Sequence, residues 1–226
     1  MGVKLAKWES ELWSYVSSGH GEYCPIYSFC HVRMRAGWCP SNNVKSIHGL
    51  LDDKQCNFRN YGWIKGGGTC RVFQLVERLT QKYLKMGNVH SPSVPTVLVG
   101  LVDPLRTVEI RMVPLTTYHA GVWRMKGSWI VQLNENDPPA VRRFSLFHEA
   151  FHILAHCKTT PKFRKRGAMQ GTFNELLANY FAGCLLMPRE WVKEKWAQVH
   201  DIDQMSEIFD VPKSLMWIRL REFGLI

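Results

Sequence analysis

At 226 residues and 46% hydrophobic side chains, the chain can bury a full core, as one domain or as one domain with an appendage. No apolar run nears the ~20 residues needed to cross a bilayer, and the opening residues lack the apolar stretch of a secretory leader. The formal charge of +10 suggests an acidic partner, with nucleic acid allowed but not favoured, since basic proteins often bind none.

Gly2 would invite an acyl anchor, but Ala6 stands where Ser or Thr is required. The expected location is the cytoplasm, where thiols stay reduced. Seven Cys, an odd number, fit that better than a disulfide scaffold.

Taken in chain order, residues 1–18 carry Leu5, Trp8, Leu12, Trp13 and Val16 at helical spacing, ending near Gly19. From Cys24 to Cys70 the texture changes to Gly, Asn, aromatics and five Cys without sustained periodicity. Gly66-Gly67-Gly68 closes this stretch and suggests a division into residues 1–70 and 71–226. Residues 71–85 form an amphipathic helix, with Val72, Phe73, Leu75, Val76, Leu79, Tyr83 and Leu84 mainly on one side.

Residues 94–102 read either as a strand, from their Val content, or as a short helix with Pro95 in its first turn. Three strands follow at 107–113, 121–125 and 128–133, the last two joined by a turn at Lys126-Gly127. Asp137 and Pro138 then suit the N-cap and first position of a helix reaching about residue 157. Next comes a basic stretch with Lys158, Lys162, Arg164, Lys165 and Arg166 around Pro161, which reads as an exposed loop. A second buried helix covers 172–186 and stops at Met187-Pro188, and further helices are expected at 188–198, 202–209 and 212–223.

The chemistry concentrates in His148-Glu149-Ala150-Phe151-His152. On a helix, histidines four residues apart leave the same face one turn apart, so two imidazoles can reach one zinc ion. Glu149 points to one side, where a carboxylate can act as general base on a water molecule. Phe144, Leu146, Phe147, Phe151, Ile153 and Leu154 make this helix apolar on most sides, a costly place for two His and a Glu unless something satisfies them. The bland alternative is a pair of core histidines bonded to backbone.

Zinc needs a third protein ligand. Glu175, near the start of the next helix, would be carried beside His152 by an antiparallel return; alternatively Thr172 and Glu175 form a capping box without metal. His156 lies one turn beyond His152, but three His at successive four-residue steps cannot converge on one ion, so it reads as a supporting or helix-end residue. Six residues after His152 stands Lys158, which excludes the elongated metzincin motif. Tyr118, His119 and Tyr180 are transition-state candidates by residue type alone.

Four stretches resemble the ImmA/IrrE family of metallopeptidases over about residues 71–226. Trp129-Ile130-Val131-Gln132-Leu133-Asn134 is similar to that family's edge strand, along which a peptide could dock. Arg142-Arg143-Phe144-Ser145-Leu146-Phe147-His148-Glu149-Ala150-Phe151-His152 resembles its active-site signature, with Phe151 where Gly is common. Asn174-Glu175-Leu176-Leu177-Ala178-Asn179-Tyr180-Phe181-Ala182 through Met187-Pro188 resembles its second motif. Phe209-Asp210-Val211-Pro212 through Phe223-Gly224-Leu225 resembles its terminal segment, with Pro212 in place of Ser.

The resemblance implies an α+β, zincin-like domain in which a small mixed sheet packs on the active-site helix and a following ligand helix. It implies zinc ligands His148, His152 and Glu175, with Glu149 as base; Asn179 is a further candidate for a transition-state or supporting role. It also implies hydrolysis of a partner protein such as a helix-turn-helix repressor.

The Cys-rich module lies outside the resemblance. Cys24, Cys30, Cys39 and Cys70, with Cys56 or His31 as substitutes, could hold a second, structural zinc, although free buried thiols would fit equally. Two other functions stay open: a DNA-binding regulator using the 202–223 helix pair and the basic loop, and a zinc-containing binding domain with little turnover.

Overall fold

The computed structural model describes residues 5–17, 63–64, 68–69, 71–156 and 173–226. The Cys24, Cys30, Cys39 and Cys70 quartet, its substitutes, the boundary near residue 70, the basic loop and Thr172 lie outside the described residues.

Among the described residues the first element is helix α1 (Lys7–Ser17), and the next are the two-residue strands β1 (Trp63–Ile64) and β2 (Gly68–Thr69), paired antiparallel. Helix α2 (Arg71–Met86) turns its apolar stripe inward, and Thr96–Leu101 forms a 3-10 helix. This resolves the ambiguous 94–102 stretch in favour of a short helix, with Pro95 extended at its N-cap. Strands β3 (Val108–Val113), β4 (Ala120–Met125) and β5 (Ser128–Asn134) make a mixed sheet. Helices α3 (Pro139–His156), α4 (Phe173–Leu186), α5 (Arg189–Val199), α6 (Ile202–Phe209) and α7 (Lys213–Phe223) complete the chain. No helix among the described residues is long and apolar enough to cross a membrane.

The sheet order is β3-β5-β4, with β5 parallel to β3 and antiparallel to β4. The expectation that residues 128–133 form an edge strand is therefore corrected: β5 is central and its ladder is filled on both sides. Its near-continuous apolar run, with Trp129, Ile130, Val131 and Leu133 all buried, is what a strand covered on both faces requires. Among the described residues, the available edges are β3 and β4. Lys126 and Gly127 both take positive φ between β4 and β5, as a two-residue hairpin turn demands. The Asn134 N–H donates to the His119 carbonyl at 2.8 Å, so the antiparallel alternation turns Gly121 and Trp123 backbone groups toward β5. Those of Ala120, Val122 and Arg124 face the open edge.

Helix α3 packs against β4, β5 and α4, and α4 in turn packs against α2. Leu146, Phe147, Ala150, Phe151, Ile153 and Leu154 sink into one core shared with Trp129, Val131, Leu133, Leu177 and Phe181. Leu12, Trp13 and Val16 of α1 belong to the same core, and the Trp13 ring lies 6.1 Å from that of Phe151. The start of α3 is one residue later than expected. The Pro138 carbonyl accepts from Arg142 N at 3.0 Å and so occupies the N-cap, while Asp137 is engaged by His119 Nδ1 at 2.6 Å.

A buried polar seam joins the C-terminal helix to α4. Arg219 donates through Nε to the Met187 carbonyl at 3.1 Å, through Nη1 to Glu222 at 2.6 Å and through Nη2 to Cys184 Sγ at 3.3 Å. Nearby, the Tyr180 hydroxyl donates to Glu77 of α2 at 2.6 Å. Burial pushes the Cys184 thiol up to about 12.

Candidate metal centre

Helix periodicity does the first part of the construction. His148 and His152 leave α3 one turn apart with ring centroids 4.9 Å from each other and Nε2 atoms at 3.1 Å. The apolar remainder of α3 holds these rings at the helix surface facing α4. Phe151, the residue between them that departs from the family pattern, points into the core, where it meets Phe181 at 5.6 Å.

Helix α4 supplies the rest. Glu175 Oε2 lies 3.2 Å from His148 Nε2, and Oε1 lies 3.3 Å from His152 Nε2. The potential ligand atoms of these three residues all fall within 4.8 Å of one another. Two imidazole nitrogens and one carboxylate oxygen, drawn together from two helices, match the three-ligand set of a zinc centre that keeps a position open. Further along α4, Asn179 Oδ1 lies 2.9 Å from His148 Nδ1. The contacts run His152 to Glu175 and His148 to Asn179, so the two helices are antiparallel. The expected return of the second helix is thus observed, and Glu175 faces the histidines.

The electrostatics are those of a site tuned around charge. Burial resists charging of His148, but its hydrogen bond to Glu175, the carboxylates of Glu149 and Glu175, and Asn179 outweigh it and hold its pKa above the ordinary value. Burial would raise Glu175, yet its bonds to His148 and His152 keep its carboxyl well below the usual range. Glu149 is buried, and desolvation lifts its pKa above the ordinary carboxylate value against the pull of both imidazoles. A raised carboxylate is better matched to accepting and returning a proton near neutrality.

The other sequence candidates fall elsewhere. His119 is exposed and paired with Asp137, and Tyr118 is half-buried with its carbonyl accepting from Asn134 Nδ2 at 3.3 Å. Tyr180 is committed to Glu77 on α2. His156 is the last residue of α3, and its side chain is outside the described ones.

The 202–223 pair does form a helix, a short turn and a helix. However, α6 and its caps carry Asp201, Asp203, Glu207 and Asp210, and α7 buries Leu215, Met216, Ile218, Arg219 and Leu220. Acidic side chains beside a mostly buried second helix are poorly suited to phosphate contact. What the sequence reading missed is β4 as an edge left open among the described residues and close to α3, and the Arg219 seam. The first could have been found from the unbroken apolar run of β5; the second had no local signal.

The family model for the IrrE N-terminal-like domain, Peptidase M78, matches residues 105–221, more than half of the chain. The chain belongs to this family. The matched span of this IrrE N-terminal-like protein runs from just before β3 into α7 and so encloses all three potential ligands and Glu149. No curated protein matches. Among solved structures, a Mycobacterium tuberculosis transcriptional regulator is similar at 16% identity with a TM-score of 0.43, covering 64% of this chain and 46% of its own length.

Proposed function

We propose that the chain is a zinc-dependent endopeptidase of regulatory type, cutting a peptide bond in a partner protein, with a helix-turn-helix repressor as the first candidate substrate. The observation that carries this reading is the convergence of His148, His152 and Glu175 with the buried, pKa-raised Glu149 on the same helix turn. Membership of a peptidase family supports it.

When bound, zinc would polarise the scissile carbonyl and lower the pKa of a water molecule toward ~7. His148, His152 and Glu175 would hold the ion. Glu149 would accept the proton from the attacking water and return it to the leaving amine. Burial of Glu149 keeps competing solvent from its carboxylate. A substrate segment in extended form would pair with the open edge of β4, using the outward backbone groups of Ala120, Val122 and Arg124.

The test pairs the chain with the product of a neighbouring gene encoding a small helix-turn-helix protein. Cleavage should require zinc, and Glu149→Gln should lower kcat by about 10²–10⁴-fold while zinc content stays at the parent level. Parent-rate cleavage by Glu149→Gln would remove Glu149 as the base. Zinc retained without any cleavage would favour a binding domain with little turnover.

A further inference from the structure

Strand β3 leaves one side of its ladder open among the described residues. The Trp129 N–H donates to the Thr107 carbonyl at 2.8 Å and the Glu135 N–H to the Val113 carbonyl at 3.0 Å. Glu109 and Arg111, in step with these, turn their backbone groups toward β5, and those of Val108, Ile110 and Met112 point away from the sheet. The side chains of Val108, Ile110 and Met112 lie in register with Trp129, Val131 and Leu133 and so extend the apolar face of β5. Helix α3 packs over β4 and β5, while Ile110 and Met112 stay 39% and 51% exposed. On the other face, Arg111 Nε donates to Glu109 Oε1 at 2.7 Å, and both side chains reach solvent. The strand carries no lysine, no proline and no net charge, the usual guards of an exposed edge.

We infer that β3 pairs antiparallel with β3 of a second copy of this chain, centred on Ile110, joining two three-stranded sheets edge to edge. Val-Glu-Ile-Arg-Met-Val is complementary to itself in that register. Ile110 lies opposite Ile110 of the partner subunit, and Val108 opposite the partner's Met112, so apolar meets apolar on one face. On the other face Glu109 lies opposite the partner's Arg111, and Arg111 opposite the partner's Glu109. The outward backbone groups of Val108, Ile110 and Met112 all find partners in hydrogen-bonded pairs. The charged residues fall in the alternate pairs, where side chains approach most closely. Moving the centre by one residue would set Glu109 against its own copy, or Arg111 against its own, and like charges directly opposite are destabilising. The strand thus selects another copy of itself and one register. One short strand from each copy makes a small interface, so the expected dimer dissociation constant is about 1–100 µM. None of this depends on the metal centre.

Sedimentation of the full chain over a range of concentrations tests the pairing. Glu109→Arg and Arg111→Glu each set like charges across the pair and should each weaken the dimer about tenfold or more. The double variant, Glu109→Arg with Arg111→Glu, restores opposite charges and should return to within about threefold of the parent. Both positions reach solvent, so these changes leave the core intact. Register is read by oxidation: Ile110→Cys should cross-link to its own copy, whereas Met112→Cys, roughly 14 Å from its mate, should not. The Ile110 and Met112 amides should exchange quickly in dilute protein and slowly once the dimer forms. A parent still monomeric at about 1 mM overturns the inference. So does a dimer that neither single charge variant weakens, a double variant no tighter than the singles, or self-linking at 112 instead of 110. Ile110 and Met112 amides protected in the monomer would also overturn it, because another part of the same chain would then cover this edge.

Discussion

His148 and Glu175 depend on each other in a way that pH exposes. With no ion between them, each stabilises the charged form of the other, so the folded chain raises the pKa of His148 and lowers that of Glu175. The raised imidazole contributes stability that is complete below its unfolded value of about 6.5 and is lost as pH rises through the higher folded value. The lowered carboxyl contributes stability present above about 4.3 and lost as pH falls through its folded value. Zinc requires both histidines neutral, so its own stabilisation grows over the upper range where the ion pair fades. Thermal melts should therefore show the metal-free chain losing Tm above about pH 6.5, with the increment from added zinc widening over the same interval. An increment that shrinks as pH rises would contradict this arrangement of charges.

Among the elements, β4 and α7 carry the clearest expectations. If extended substrate pairs with β4, a cleaved peptide whose backbone N–H groups are N-methylated at alternate positions should lose binding in one phase of methylation and not in the other. The expected loss is a rise in KM of about tenfold per blocked hydrogen bond; equal effects in both phases would rule out strand pairing. For α7, Arg219→Met should destabilise the fold by about 3–5 kcal/mol, because Glu222 is left beside an apolar group with its charge uncompensated. Arg219→Met with Glu222→Leu should recover part of that loss in denaturant melts. Equal losses in the single and double variants would show that the pair is not what holds α7.

The element scale also shows what could be read from residue order. The helices announced themselves by periodicity, and His148, His152 and Glu175 by spacing together with the apolar setting that made them costly. The Lys126-Gly127 turn was equally plain. Strand order was not, because nothing local says that β3 will pass over β4 and pair on the far side of β5. That choice is made by burial: β5 alone is apolar enough on both faces to occupy the middle. The Arg219 seam was hidden for a related reason, since its partners on the α4 side, Met187 and Cys184, lie 32 and 35 residues away in sequence and meet it only after α4 and α7 have docked.

On the scale of the molecule, α1 ties the start of the chain to the helix that carries His148 and His152. Trp13 is 5% exposed and leans on Phe151, which sits between the two histidines in sequence. Trp13→Ala should cost about 3–5 kcal/mol, the usual range for emptying a large aromatic site, and should lower Tm. A Tm within error of the parent would mean that α1 is dispensable to this core.

Cys184 offers a practical handle on the same architecture. Sealed under Arg219 with its thiol pushed up to about 12, it cannot react with alkylating reagents while α4 and α7 remain docked. Its rate of modification, followed peptide by peptide in a mass spectrometer, is a built-in clock for transient parting of these two helices. Because α4 also bears Glu175, slowing of that clock by zinc would reveal how far the grip on the ion extends through the protein.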